Sequence, residues 1–407
     1  MPRWLIEAVV ESPIVIRRQR QSQRSEGAEY VPGTQVRGAF ARAYLWQKGR
    51  ADATFYKVFS EESGCRFGPL DPGQYCFPKT AYSCKRYPGF PSQNGHGVVD
   101  LLPEFIRWSL TGQPPTPQRC AQCGHDLKAM GGFYGRDSFG NLMEMRGRWR
   151  RTMKAHVGIE RLTRTAAEAV FFHLPALEPE PEPSVDGSAT AAIPKLYGWI
   201  EADQAQLSIL QEVLQKEEGI LRIGHARTRG YGRVRIQILD QAPDCAQELE
   251  AWSQKLVAKL DCGLDPNRHL LFSLSLPTGA ILVDEVLRYT LDPSMMVPWL
   301  PRLPAGPPGR RETFGNEKQF ADGYLRTLAA ITQHERVRGW NFAQGLPRAD
   351  EWMISRGSVY VYLYKGGSQG RRELLKQLKE LEAAGVGARL AEGFGKVVVG
   401  DSFHVDL

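Results

Sequence analysis

Two stretches of the chain hold residue types that can do chemistry. In CAQCGHDL, Cys120 and Cys123 have the two-residue spacing of a zinc knuckle, and Gly124 eases the turn around a metal. A knuckle supplies two ligands. The other two are expected upstream in CFPKTAYSCKRYPGFPSQNGHGVVD, where Cys84 and His96 are favoured because the chain between them can loop back without dissolving the apolar AYS segment. Cys65, Cys76 and His125 stand as alternatives. Four protein ligands leave no open position, so zinc here is expected to be structural, a rigid centre for an insertion with few apolar residues.

The second stretch is IGHARTRGYGRVRI, residues 223 to 236, with Gly224, Gly230 and Gly232 among Arg227, Arg229, Arg233 and Arg235. Glycine lets backbone amides approach a phosphate closely, and arginine offers planar paired donors to the same oxygens. Tyr231, between two glycines, is placed to stack on an unpaired base. A P-loop is excluded because no Lys-Ser/Thr pair follows, and a dinucleotide fingerprint because the glycine spacing and the strand-to-helix order are wrong. His156, His173 and His225 are the candidates for a metal-independent ribonuclease; His225 beside Arg227 and Arg229 has the surroundings a general base needs. No second general acid stands at a telling position, so the expectation is a binding protein without a catalytic residue.

These stretches need elements to hold them. The chain has 407 residues, 42% of them hydrophobic, enough to bury substantial cores and to divide into two domains. Its 52 Lys+Arg against 45 Asp+Glu give a formal charge of +7, which favours polyanions. Basic runs occur at RRQRQSQR (Arg17 to Arg24) and RGRWRRTMK (Arg146 to Lys154). No signal-peptide pattern and no 18-residue apolar run occurs, and seven unevenly spread cysteines do not form a disulfide framework, so a cytoplasmic protein with no membrane partner is expected.

The glycine stretch has an echo in VGARLAEGFGKVVV, residues 386 to 399. Gly387, Gly393 and Gly395 match Gly224, Gly230 and Gly232; Phe394 matches Tyr231, Lys396 matches Arg233, and Arg389 is one position out of step with Arg227. Each copy follows a strand-like run (KLYGWIEA; GSVYVYLY from Gly357) and an amphipathic helix, marked by Leu207, Leu210, Val213 and Leu214 or by Leu374, Leu378 and Leu381. Each unit also has a front half. WLIEAVVESPIVI and HLLFSLSLPTGAILV read as strands. Helices are expected after both, at PGTQVRGAFARAYL with Thr34 as N-cap, and at NEKQFADGYLRTLAAI from Asn316. The fold class is therefore α+β, two β-α-β-β-α-β modules of ferredoxin-like (RRM-like) type. The first spans 1–260, with a cysteine-bearing insertion at about 60–150 and a proline-rich loop at 175–194; the second spans 261–407, with a proline-rich insertion at 298–312.

YVPGTQVRGAF together with GHARTRGYGRV and GARLAEGFGKV resembles the repeat-associated mysterious protein superfamily of CRISPR systems, and HVGIERLTRTAAEAVFF and VRGWNFAQGLPR extend the likeness over most of the chain. Size, two modules and the insertion are most similar to the Csx-ten type of subunit of type III-D effector complexes. The resemblance implies a Cas-five-like cap at the 5′ handle of the crRNA, near target RNA, beside the large Cas-ten subunit and the backbone subunits, in antiviral defence. It implies RNA contacts at Arg37, Arg42 and Arg161 as well as the two glycine loops, with Arg338 and Trp340 as outer candidates. The alternative is a stand-alone crRNA-processing endoribonuclease using His225.

Overall fold

In the computed structural model the described residues are 1–20, 25–115, 118–136, 140–145, 149–180, 194–241, 249–266, 268–303, 316–341 and 346–407. Parts of both basic runs (21–24 and 146–148) and most of both proline-rich stretches (181–193 and 304–312) lie outside them. Among the described residues the chain forms seven α-helices and several antiparallel sheets.

The first unit opens with β1 (Arg3–Val10), whose Ile6, Ala8 and Val10 are buried at the period of two that a half-covered strand requires. A short β2 (Ile14–Val15) follows, then α1 (Gly33–Lys48), which turns Val36, Phe40 and Tyr44 into the core. Pro32 is its N-cap, with no side-chain cap, so Thr34 lies inside the helix; proline's fixed φ begins the first turn without the expected hydroxyl. After α2 (Ala53–Phe59) comes β3 (Arg66–Phe67) and then the insertion, built of β4 (Ala81–Cys84), β5 (Val98–Asp100), α3 (Leu102–Thr111) and β6 (Leu127–Ala129).

A long hairpin leaves the body as β7 (Trp149–Ile159) and β8 (Ala166–Pro179), so the proline-rich stretch expected from residue 175 begins inside a strand. The first unit closes with β9 (Lys195–Glu201), α4 (Gln204–Lys216), β10 (Ile220–Arg222) and β11 (Arg233–Gln241). α4 starts on a capping box in which the Asp203 side chain accepts from the Gln206 amide and the Gln206 side chain accepts from the Asp203 amide. The sheet runs β10-β11-β1-β9-β3, all neighbours antiparallel.

α5 (Leu249–Leu260) leads to the second unit: β12 (His269–Leu276), β13 (Glu317–Phe320), β14 (Gly323–Ile331), β15 (His334–Val337), β16 (Glu351–Ile354), β17 (Ser358–Lys365), α6 (Ser368–Ala384) and β18 (Val398–Val399). Its sheet runs β13-β14-β17-β12-β18, again antiparallel. The helix expected from Asn316 is not there. Phe320 and Gly323 face each other across a two-residue turn, and the apolar residues of 316–331 satisfy a strand's pattern better than the loose helical one. The Lys365 carbonyl and the Gly366 Cα crowd Gly323 too closely for a side chain, which fixes the turn where a helix would have continued.

β12 and β17 are buried along nearly their whole length, so both faces of the second sheet are covered. α6 supplies Leu374, Leu378 and Leu381; α5 and α3 supply Leu249, Trp252, Leu256, Leu102 and Ile106 to the same core. A helix from the first unit's insertion thus packs in the second unit's interior. Arg356 fastens the units further: buried to 9% exposure, it donates to both Asp71 oxygens at 2.8 and 2.6 Å and to the Pro277 carbonyl. The bidentate geometry and the hydrogen bonds compensate the desolvation of both charges.

Candidate nucleic-acid interface and metal centre

The two glycine loops are one device used twice. In the first, Gly224, Ala226, Gly230 and Gly232 have φ of +86°, +57°, +89° and +79°, with a single 3-10 turn at Arg227–Arg229. In the second, Gly387, Arg389, Gly393 and Gly395 have +95°, +59°, +84° and +73°, with the turn at Leu390–Glu392. Each is pinned to the chain beyond its unit's first strand. His225 and Gly232 donate to the Val15 and Pro13 carbonyls at 2.8 and 2.9 Å; Ala388 and Gly395 donate to Ile281 and Gly279 at 2.9 and 2.7 Å. A side chain at Gly232 or Gly395 would run into the Ile223 or Val386 carbonyl, which is why these positions stay glycine. Arg389 therefore corresponds to Ala226, explaining the misfit in register seen in the sequence.

What surrounds the loops differs. The first projects beside the β7–β8 hairpin. The Tyr231 hydroxyl meets His156 Nε2 at 2.9 Å, and its ring packs with Phe172 against Val15, Leu174 and Ala176. Tyr231, expected to stack on a base, is half-buried and ties loop to hairpin. The platform lies next to it: Phe172 stacks on His156 at 5.4 Å with 14° between planes, and the Arg229 guanidinium sits 5.1 Å over Phe172. Arg229 and His225 are exposed, as is Arg42 on α1. Burial, and then the like charge of Arg42, push the Arg227 pKa down. Among the described residues neither Arg42 nor Arg229 is in an ion pair, whereas Arg233 is held by Glu11 at 3.2 Å. Arg161 lies at the exposed tip of the hairpin, away from the loop.

The second loop is docked. Glu392, with 4% of its side chain exposed, is paired with Arg37 at 3.2 Å, Arg348 at 3.1 Å and Arg389. Arg389 also pairs with Glu351 and lies 5.0 Å over Phe394. Lys396, 8% exposed, reaches Glu201 at 3.5 Å, and Glu201 is held as well by Arg3 and Arg66. Gly393 and Gly33 both press against the Phe67 carbonyl. Arg37, Arg389 and Lys396, all candidates for RNA contact, thus face acidic groups of the same chain. Arg338 pairs with Asp350 at 3.1 Å, and Trp340 is in a short strand whose side chains lie outside the described set.

In the insertion, Cys84, His96, Cys120 and Cys123 converge so that one ligand atom from each lies within 4.8 Å of all the others. Cys84 and Cys123 sulfurs are 3.5 Å apart, and Cys120 Sγ is 3.4 Å from His96 Nδ1. A tetrahedral zinc with bonds of about 2.0 to 2.3 Å separates its ligand atoms by roughly 3.5 to 3.8 Å, so the donor set suits that ion. Cys84 ends β4 and the knuckle precedes β6, its hydrogen-bonded neighbour, so the sheet itself brings the halves together. Cys65 and Cys76 are not among the four: burial pushes their thiols up to about 12 and about 11. His125 Nδ1 instead meets the Cys123 carbonyl at 3.1 Å.

The Arg229–Phe172–His156 stack and the role of Glu392 were missed from sequence. The first depends on cross-strand register, which brings His156 opposite Phe172. The second had a visible signal, a lone glutamate in LAEGFGK between glycines that must approach backbone closely.

No family model matches the chain, and no curated protein does. Among solved structures it is similar to a chain of the type III-B Cmr-beta complex bound to cognate target RNA, at 10% identity and a TM-score of 0.40 over 92% of this chain and 89% of that one. It is also similar to a chain of the same complex with target RNA and AMPPnP (12%, 0.38, 93% and 88%) and to one of a type IV-B CRISPR complex (13%, 0.23, 58% and 90%). Likeness this distant leaves function to the chain's own residues. No described helix is long and apolar enough to cross a membrane.

Proposed function

We propose that the chain is a crRNA-binding structural subunit of a type III CRISPR effector ribonucleoprotein, gripping single-stranded guide RNA with its first glycine loop. The observation that carries this reading is exposed Arg229 over Phe172, with half-buried Arg227 two residues before it and Arg42 exposed on α1, on a loop whose glycines open the backbone to phosphate. The strand orders with their intervening helices support two ferredoxin-like modules, the second with its first helix replaced by neighbouring elements. The finer reading, a Csx-ten-like cap at the 5′ handle next to the large Cas-ten subunit, rests on the sequence resemblance. No catalytic residue is assigned.

Zinc held by Cys84, His96, Cys120 and Cys123 completes the reading, as a structural ion supplying rigidity to the insertion. Plasma emission on protein purified without added metal should give about one equivalent; less than half an equivalent would sink it.

The functional test is the nucleic acid recovered with the native protein. A defined small RNA with a uniform 5′ end, together with large protein partners in fixed ratio, is expected. Turnover of a labelled repeat RNA, abolished by His225→Ala, would replace the scaffold with the processing enzyme.

A further inference from the structure

A cleft of about 240 Å³ opens in the second unit beside the docked glycine loop, lined by Tyr289, Thr290, Leu291, His334, Trp352 and Met353. Its position follows from the pairing. Ile281, which holds the second loop through Ala388, leads into the segment carrying Tyr289, and Glu351, which holds Arg389, precedes Trp352 on β16. His334 and Arg336 on β15 lie opposite Ile354 and Trp352.

The lining is partly aromatic. Tyr289 and Trp352 are 43% and 40% exposed, and the His334 ring meets the indole edge-on at 5.1 Å. Arg336 places its guanidinium 5.0 Å from the Trp352 ring, bracing the indole. Rings held open to solvent forgo the burial that would ordinarily stabilise them, so they have the chemistry of a stacking site.

We propose that this cleft receives one unpaired nucleobase of single-stranded RNA. Its volume is below the range of sites for drug-sized ligands and suits a single heterocycle. Thr290 and His334 give polar groups at the lining for a base edge, and Leu291 and the buried Met353 give apolar surface. Arg336, over Trp352, and Arg338 share one carboxylate, Asp350, at 3.4 and 3.1 Å, which sets two cations near the cleft for a flanking phosphate. The inference rests on the RNA-binding reading. It adds a second contact, in the unit whose glycine loop is committed to internal pairs.

The probe is a 12-nucleotide oligouridylate carrying 5-iodouridine, crosslinked by light to the full chain and mapped by mass spectrometry. Crosslinks are expected at Tyr289, His334 or Trp352, and separately at Phe172 or Tyr231. Trp352→Ala should remove the first set only and weaken binding about 10-fold, the effect of losing one stacked base. Trp352→Phe, which keeps a ring, should retain both sets, and matching melting curves exclude loss of fold. Crosslinks confined to the first loop overturn the cleft and leave the RNA-binding reading intact; no crosslink anywhere overturns both. Loss of a co-purifying protein in Trp352→Ala, with RNA binding unchanged, assigns the cleft to a protein side chain and also overturns the proposal.

Discussion

The two glycine loops share backbone conformation, anchoring hydrogen bonds and glycine placement, yet one faces out and the other is locked between the units. What separates them is their side chains. At the 3-10 turn the first carries Arg227 and Arg229, while the second carries Leu390 and Glu392. Two cations on a loop invite a polyanion; one buried carboxylate collects Arg37, Arg348 and Arg389 from three directions. One scaffold thus carries exposed cations in its first copy and internal ion pairs in its second.

The largest effect that sharpens this comparison is on stability. Glu392→Ala should remove about 3 kcal/mol, because it takes away the buried carboxylate three guanidiniums share and leaves Arg389 with Glu351 and Arg37 with Glu61 alone; chemical denaturation measures it. A loss below about 0.5 kcal/mol would mean the second loop is not a clamp. Glycine substitution gives the next contrast. Gly395→Ala meets the Val386 carbonyl at positive φ and should destabilise by several kcal/mol, whereas Gly230→Ala meets nothing within 4 Å and should cost about 1 kcal/mol.

Arg227→Ala and Arg229→Ala should leave melting nearly unchanged. Each should weaken RNA binding and, if it removes a phosphate contact, lower the slope of log affinity against log salt by about 1.

The smallest effect concerns the docked side. Burial alone would lower the pKa of His404, but the Asp100 carboxylate, 2.8 Å away, outweighs it and the net shift is upward. The charged pair therefore contributes stability that is complete below the ordinary histidine value of 6.5 and is lost as pH rises through the higher folded value. Melting temperature should fall across that window in the native chain, and the fall should be smaller in Asp100→Asn.

The Cys/His cluster was legible because a knuckle, an intervening loop length and a histidine constrain one another, and the structure brings together the favoured four. The glycine repeat was legible too, since positive φ at fixed spacing leaves glycine little alternative. The 316–331 segment misled because Phe320, Leu325 and Leu328 fit a loose helical stripe as well as a strand, and only the neighbouring β17 decides between them. The partners that hold the second loop inward were hidden for a similar reason: Glu201 and Arg37 lie far from Lys396 and Glu392 in sequence, and only the docking of the units pairs them.

The most direct measurement compares RNA recovered with the native chain and with the Arg227→Ala/Arg229→Ala double variant, both confirmed folded. A defined small RNA on the native protein that is largely lost from the variant is the expected result. Equal recovery from both, or none from the native chain, would contradict the claim that the first loop grips RNA.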